Sequence, residues 1–282
     1  EAFAKVHGKS CLYLANHQVG IESLLFSVLA SALSGTSTVT LAKAEHRTSW
    51  LGTLIAHSFS YPGVVDPNVI TFFEREDRES LIKIVGDIAV QMQTTAKSAM
   101  VHVEGTRSLS ARQPVIKMSS AFIDMAIAVG APIVPVRFVG ALPVAELTTR
   151  LEFPVGFGRQ DCWIGRPIMP ADLAALPYKD RKTVVISAIN GLGPDLASET
   201  PAAPNPVFAE AVERWMAHTG ATHENAVLFT TLATLVDPSE HVRALCAGAA
   251  AGKLRVGSDP MGQWLGELAR RLYGPRGPRV EG

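Results

Sequence analysis

Short apolar runs alternate with amphipathic runs over the first two-thirds of the chain, and this alternation limits the folds that the sequence can adopt. Apolar residues recur at helical spacing within residues 21–29 and 118–129. Around these segments lie six runs of strand length, at residues 11–15, 38–42, 69–73, 99–103, 132–139 and 162–165. Because these runs are apolar along most of their length, both faces of the resulting sheet must be covered. The sequence therefore predicts an α/β fold with a mostly parallel central sheet flanked by helices.

The composition changes near Asn190, which suggests a domain boundary. Residues 190–194 read Asn-Gly-Leu-Gly-Pro, and residues 200–206 are rich in proline. The segment that follows is rich in alanine and has helical spacing. We predict a domain at residues 1–195, a linker at 196–206, an α-helical C-terminal extension at 207–274 and a disordered tail at 275–282.

Composition excludes some functional classes. The chain of 282 residues carries 26 basic and 26 acidic residues, so its net charge gives no reason to expect a nucleic-acid partner. Hydrophobic residues make up 47% and charged residues 18% of the chain. Even so, no uncharged apolar stretch reaches the roughly 18–20 residues of a membrane-spanning helix. The longest candidate, at residues 21–35, contains Glu22. We expect peripheral membrane contact at most.

The cysteines and the first residue bear on where the protein works. Cys11, Cys162 and Cys246 are far apart and form neither a disulfide framework nor a zinc motif. They are typical of a reduced compartment, so we predict a cytoplasmic protein that contacts the inner membrane surface peripherally. Because the chain begins with Glu1 rather than Met, we also expect it to be part of a longer polypeptide.

A histidine and an acid follow the first predicted strand. Residues 16–22 read Asn-His-Gln-Val-Gly-Ile-Glu. Open α/β sheets bind ligands at the carboxyl ends of their strands, where His17 would lie. If the turn folds back, Glu22 can accept a hydrogen bond from one imidazole nitrogen and leave the other as a general base. Taken alone, the same residues also fit a polar strand end followed by an acid at a helix start.

A second polar segment follows the fourth predicted strand. Residues 103–108 read Val-Glu-Gly-Thr-Arg-Ser. Gly105 permits a sharp turn, Thr106 and Ser108 offer hydroxyl groups, and Arg107 can bind a phosphate through two parallel hydrogen bonds. A charged surface turn is the alternative interpretation.

Together these two segments resemble the 1-acylglycerol-3-phosphate acyltransferase family, the lysophospholipid acyltransferases. The resemblance rests on Asn-His-x4-acid at residues 16–22 and Glu-Gly-Thr-Arg-Ser at residues 104–108. Further stretches match in the same order, at residues 41–45, 72–78, 131–136 and 163–168. The resemblance covers the chain from about Cys11 to about Asp172.

The resemblance implies a glycerolipid-type O-acyltransferase. Such an enzyme moves a fatty acyl group from a thioester, acyl-CoA or an acyl carrier protein, to the hydroxyl of a glycerol-phosphate acceptor. The acceptor by analogy is 1-acylglycerol 3-phosphate, which gives phosphatidic acid, and glycerol 3-phosphate is the next candidate. No metal and no cofactor other than the thioester co-substrate is implied. A longer parent polypeptide would fit a domain of a polyunsaturated fatty acid synthase.

The resemblance also assigns roles to individual residues. His17 is the general base, and Glu22 orients it. The residues expected to bind substrate are Lys43, Arg75, Glu104, Gly105, Thr106 and Arg107. Backbone N–H groups of the turn at residues 104–106 are expected to meet the oxyanion.

The sequence departs from the family pattern at three places. Glu22 stands where the family usually has Asp, His102-Val103 replaces Phe-Pro, and Val19 replaces a hydroxyl residue. Two other functions stay open. The first is a thioesterase or other hydrolase, against which the predicted phosphate-binding arginines argue. The second is a non-catalytic module that docks an acyl chain or a carrier protein.

Overall fold

The computed structural model describes residues 6–58, 60, 69–74, 78–251, 253–255, 258–273 and 279–281. The chain divides into two compact units. The first, here called the sheet unit, comprises Glu1–Arg47 and Asn68–Pro204. The second, the helical unit, comprises Thr48–Pro67 and Asn205–Gly282.

A six-stranded sheet forms the centre of the sheet unit. Its strands are β1 (Leu12–Ala15), β2 (Thr38–Lys43), β3 (Ile70–Phe73), β4 (Ser98–His102), β5 (Ile133–Val139) and β6 (Asp161–Ile164). They lie in the order β3-β2-β4-β1-β5-β6. The first five strands pair in parallel, and β6 runs antiparallel to β5. The predicted mostly parallel sheet is confirmed, and each predicted strand is found with its ends shifted by no more than one residue.

The helices of the described residues follow in chain order. They are α1 (Glu22–Ser34), α2 (Trp50–Ser58), α3 (Arg78–Thr94), α4 (Ala121–Val129), α5 (Pro170–Ala175), α6 (Tyr178–Asn190), α7 (Pro206–Thr219), α8 (His223–Ala233), α9 (Glu240–Ala250) and α10 (Pro260–Tyr273). In the helical unit, the short strands β7 (Lys253–Arg255) and β8 (Arg279–Glu281) pair in parallel. The predicted helical character of the C-terminal region is confirmed.

One predicted helix begins later than expected. The apolar spacing predicts a helix from Met118, but α4 starts at Ala121. The hydroxyl of Ser119 accepts a hydrogen bond from the N–H of Ala121 at 3.3 Å, which satisfies a donor at the helix start. Met118 is buried in the core nonetheless. Its apolar character therefore reflects burial and not helical conformation.

The central strand β1 is buried on both faces. Leu12 and Leu14 join one apolar cluster, whereas Tyr13 and Ala15 join another on the opposite face. All four are fully buried. The ring of Phe26, from α1, packs edge-on against Tyr13 with the ring centroids 5.1 Å apart. The other face is covered by side chains from α3, α4 and α6.

The parallel strands bring distant segments to one edge of the sheet. Ala15 at the end of β1 pairs with His102 at the end of β4, and Lys43 at the end of β2 pairs with Phe73 at the end of β3. Residues that follow these four strands therefore emerge at the same carboxyl edge, where α/β sheets bind ligands.

The segments predicted as linker and tail are placed as follows. Residues up to Pro204 lie in the sheet unit, and Glu199 is buried there. The inserted helix α2 falls in the helical unit and packs on α10. Of the predicted disordered tail, residues 275–278 and 282 lie outside the described residues, and residues 279–281 form β8.

Among the described residues, no helix combines the length and apolar composition that crossing a bilayer requires.

The burial of β1 predicts a large stability difference between two equivalent truncations. Leu14→Ala should lower the free energy of unfolding by about 2–5 kcal/mol, because it leaves a cavity in the fully buried centre of the sheet. Leu25→Ala, on the exposed side of α1, is the matched control and should change it by less than about 0.5 kcal/mol. Urea denaturation followed by circular dichroism measures both. Equal effects would contradict the assigned position of β1.

Candidate active site

The turn between β1 and α1 folds back on itself and brings Glu22 against His17. Nδ1 of His17 lies 2.7 Å from Oε1 of Glu22. The backbone N–H groups of Gln18 and Val19 donate to the same carboxylate at 2.8 and 3.2 Å. The side chain of Glu22 is only 1% exposed. The structure therefore places the two predicted catalytic residues in direct contact.

The hydrogen bonds around Glu22 are those of a carboxylate. Besides the three donors of the turn, Nε2 of Gln160 donates to Oε2 at 2.7 Å. Burial raises the pKa of Glu22 to about 7, while the nearby His102, the Gln160 amide and the two backbone N–H groups oppose that rise. The group is thus poised to ionise near neutral pH.

The same contacts set the tautomer of His17. Because the Glu22 carboxylate only accepts, Nδ1 of His17 carries the proton and Nε2 keeps its lone pair. Burial lowers the pKa of His17 well below its ordinary value, and the positive charges of Arg107, His46 and Lys43 lower it further. The ring is therefore neutral at pH 7, and its side chain is 16% exposed. These are the properties of a general base.

A second histidine, His102, lies directly on the first. The two rings stack with centroids 3.6 Å apart and planes 13° from parallel. Nδ1 of His102 donates to the carbonyl of Asn16 at 2.6 Å, so Nε2 accepts from the hydroxyl of Ser23 at 2.7 Å. Burial, together with His17, lowers the pKa of His102 to about 3. His102 is thus a neutral ring that supports His17 from one face.

The turn at residues 104–108 supports the backbone of His17. Oε2 of Glu104 accepts from the N–H of His17 at 3.1 Å, and the N–H of Ser108 donates to the carbonyl of His17 at 2.8 Å. Burial raises the pKa of Glu104 to about 7. Glu104 therefore contacts the backbone of the predicted base, a contact that the sequence did not predict.

The predicted oxyanion donors come from this turn. Gly105 has a φ of 69°, the left-handed conformation for which glycine is favoured. Its N–H already donates to the carbonyl of His102 at 3.2 Å. It can meet an oxyanion only if that bond is released. Thr106 is half-buried in the same turn.

Arg107 lies beside the site in contact with an acid. Its Nη1 lies 2.6 Å from Oε1 of Glu152 and donates to the carbonyl of Leu151 at 2.7 Å. A Cβ at Gly20 would collide with the Glu152 carboxylate, so a larger residue there would have to displace this side chain. The carbonyl of Arg107 in turn accepts from Nε of Arg150 at 3.1 Å.

The other two predicted cations follow neighbouring strands. Lys43 ends β2 with its side chain 18% exposed, and its Nζ lies 3.6 Å from Oε1 of Glu45. Arg75 lies outside the described residues, two positions after Phe73 at the end of β3. Its predicted role in binding phosphate stays a prediction.

The site also contains residue types that metals prefer. Among the described residues, His17, Glu22 and His102 form such a group. However, both Nδ1 atoms of the histidines are directed at oxygen atoms, those of Glu22 and of the Asn16 carbonyl. A protonated nitrogen has no lone pair for a metal. The arrangement supports proton transfer.

The part of the chain that contains these residues matches a known protein family. Residues 3–139 match the family model described as Acyltransferase. This part of the chain is similar to acyltransferase domains. It contains β1 to β5 and every residue to which the sequence assigns a role in catalysis or substrate binding. The suspected family resemblance is confirmed at the level of an acyltransferase. No curated protein matches the chain.

Sequence reasoning assigned no role to several residues of the candidate site. His102 could have been found, because it departs from the Phe-Pro of the family. Ser23 had no signal beyond its position after Glu22. Gln160 and Glu152 come from irregular segments far along the chain, so no local pattern identifies them.

The geometry predicts an unusual titration for His17. At about pH 6 an unperturbed histidine, with a pKa of about 6.5, is mostly protonated. His17 should instead be neutral there, because burial and nearby cations lower its pKa. At about pH 8, where Glu22 is mostly ionised, the ring proton should lie on Nδ1. Nitrogen-15 NMR of the ring, assigned with His17→Gln and compared with free histidine, measures this. A charged ring at about pH 6, or a proton on Nε2 at about pH 8, would contradict the arrangement.

Proposed function

We propose that the acyltransferase domain moves a fatty acyl group from a thioester, acyl-CoA or acyl carrier protein, to a glycerol-phosphate acceptor. The preferred acceptor is 1-acylglycerol 3-phosphate, which gives phosphatidic acid. The observation that carries the proposal is the contact between His17 and Glu22 at the carboxyl edge of the sheet. The pKa of His17 responds to two predicted phosphate-binding cations, Lys43 and Arg107.

The mechanism follows from the tautomer of His17. Nε2 of His17 removes the proton of the acceptor hydroxyl while the hydroxyl oxygen attacks the carbonyl carbon of the thioester. The oxyanion that forms then collapses, the carbon–sulfur bond breaks, and the thiolate takes the proton back from the imidazolium. The products are an ester and a free thiol. Glu22 stabilises the imidazolium through its bond to Nδ1.

The acceptor phosphate would replace carboxylates around the cations. Arg107 is paired with Glu152, and Lys43 is within 4 Å of Glu45. Both cations are partly exposed, Lys43 at the end of β2 and Arg107 just beyond the end of β4, so an incoming dianion can compete for them. Arg75 belongs to the same proposal on the strength of the family resemblance.

Peripheral membrane contact also stays a prediction. Four apolar side chains on α1 are exposed, at Leu25, Val28, Leu29 and Leu33. They lie on the helix that begins with Glu22 and would supply the apolar contact that such an interaction needs. The nature of the thioester carrier and the placement in a multienzyme are likewise proposals.

Substitution of the base and its partner tests the chemistry. His17→Ala should lower the transfer rate by at least about 10²-fold, the usual loss for a general base. Glu22→Gln should also lower the rate, because a neutral amide stabilises the imidazolium of His17 poorly. The new NH₂ group would also face the N–H donors that the carboxylate now accepts from, such as those of Gln18 and Val19. Because the pKa of Glu22 is about 7, wild-type activity should rise with pH through that value.

The measurement is transfer of a labelled acyl group with and without lysophosphatidate. His223→Ala, at an exposed position of α8, is the matched control and should keep full activity. Release of free acid without transfer would support the hydrolase, and no turnover would support the docking module. Normal activity in folded His17→Ala would overturn the mechanism.

The phosphate site predicts opposite effects for Arg107 and its partner. Arg107→Ala should lower kcat/KM for the phosphorylated acceptor by roughly 10- to 150-fold, as expected for a lost charge-assisted contact. Glu152→Gln should lower the KM for the phosphorylated acceptor, because the substitution removes the negative charge that now pairs with the Arg107 guanidinium.

Steady-state kinetics with lysophosphatidate and with monoacylglycerol measures this difference. The dephosphorylated acceptor is the control and should respond little to either change. Arg75→Ala, assayed in parallel, is expected to behave like Arg107→Ala. If wild type and variants treat both acceptors alike, the assigned acceptor is wrong, although acyl transfer could stand.

A further inference from the structure

A chain of polar side chains leads from Glu22 to a part of the sheet unit beyond the family match; Gln160 is half-buried, and Gln18 and Glu199 are buried. Gln160 donates to Oε2 of Glu22 at 2.7 Å and lies 3.5 Å from Oε1 of Gln18. Nε2 of Gln18 donates to Oε1 of Glu199 at 2.6 Å. The family match ends at residue 139, so neither Gln160 nor Glu199 belongs to it.

The far end of this chain is fixed by an ion pair. Nη2 of Arg137 lies 2.8 Å from Oε2 of Glu199, and both side chains are 3% exposed. Nη1 of Arg137 also donates to three carbonyl groups at and just beyond the end of α6, those of Asn190, Leu192 and Pro194. Glu199 is therefore held as a carboxylate that can accept from Gln18.

The orientation of Gln18 is fixed from both sides. Its Oε1 accepts from the N–H of Ala141 at 3.1 Å, so its Nε2 must face Glu199. Oε1 of Gln18 also faces Gln160. Because Oε1 of Gln18 and Oε2 of Glu22 are both acceptors, the NH₂ group of Gln160 must point toward them. Each member of the chain therefore sets the orientation of the next.

We propose that Gln160, held by Gln18 and Glu199, is a positioning residue that fixes the Glu22 carboxylate against His17. Oε1 of Glu22 is shared by His17 and the N–H of Gln18. Oε2 has a 3.2 Å bond from the N–H of Val19 and the shorter bond from Gln160. Removing Gln160 leaves Oε2 with the weaker bond, so the carboxylate can rotate away from His17.

The negative charge of Glu22 makes the hydrogen bond from Gln160 more important. The titratable groups that act on Glu22 or respond to it are His17, His102, Glu104 and Cys162. Both histidines are neutral at pH 7, because their pKa values are lowered. Hydrogen-bond donors therefore carry most of the stabilisation of the anion, and Gln160 is one of them.

The test is Gln160→Leu, which keeps the size of the side chain and removes both donors. At pH 7, kcat should fall by about 10- to 100-fold with little change in acceptor KM, because orientation of the base and not binding is lost. The pH at which activity rises should move upward, and activity should partly recover near pH 9 as Glu22 ionises. Damage to the fold would not be reversed by pH.

A matched control and a second variant complete the design. Gln113→Leu, at an exposed position of the sheet unit, should keep the wild-type rate and pH profile. Gln160→Asn retains a shorter amide and should fall between wild type and Gln160→Leu. Should Gln160→Leu fail to fold, the proposal depends on Gln160→Asn, whose unchanged pH profile would overturn it.

The kinetic arm rests on the proposed function, so NMR of the His17 ring supplies an independent readout. The resonance of the proton on Nδ1 should shift in Gln160→Leu, because its bond to Glu22 weakens. An unchanged resonance together with an unchanged pH profile would overturn the positioning role. If the resonance shifts in Gln160→Leu but the wild-type protein transfers no acyl group, the positioning role is supported and the proposed function is refuted.

Discussion

The burial of the Glu22 carboxylate is the constraint on which the rest of the site depends. Removing a charge from water costs on the order of several kcal/mol per ion, and that cost must be offset by hydrogen bonds. The turn after β1 supplies two backbone N–H donors, and this requirement determines its shape. His17 and Gln160 supply the others. Because every neighbour of the carboxylate must donate, the tautomer of His17 follows, and with it the lone pair on Nε2.

The sheet explains why these groups meet at all. Parallel strands end at one edge, and β1 lies between β4 and β5 at its centre. His17 follows β1, while His102 ends β4 and is in register with Ala15. Stacking of the two rings is therefore a direct result of strand pairing. Glu22 is the first residue of α1, where the positive end of the helix dipole also favours its charge.

Much of the fold and part of the site could be predicted from the sequence. The strands are mostly apolar runs, and burial on both faces, complete for β1 and β5, leaves such a pattern in the residues themselves. His17 and Glu22 lie within one turn, so their spacing indicated a possible contact. The start of α4 was predicted wrongly, because burial of Met118 gives the same pattern as a helical position. The acceptance of a hydrogen bond from the backbone of His17 by the Glu104 carboxylate was not predicted, and the expected role of Glu104 in binding substrate stays a prediction.

The amino-acid sequence by itself determined the strands, the histidine–acid pair and the Glu-Gly-Thr-Arg turn, since each depends on residues that are neighbours along the chain. Only the tertiary structure decided which groups surround that pair. Gln160 reaches Glu22 across 138 positions, and Glu199 reaches Gln18 across 181. Neither contact leaves a local pattern, because a single polar side chain in an irregular segment looks the same whether it faces water or a buried carboxylate. Folding of the sheet unit brings them together, and burial of charge then makes the contacts necessary.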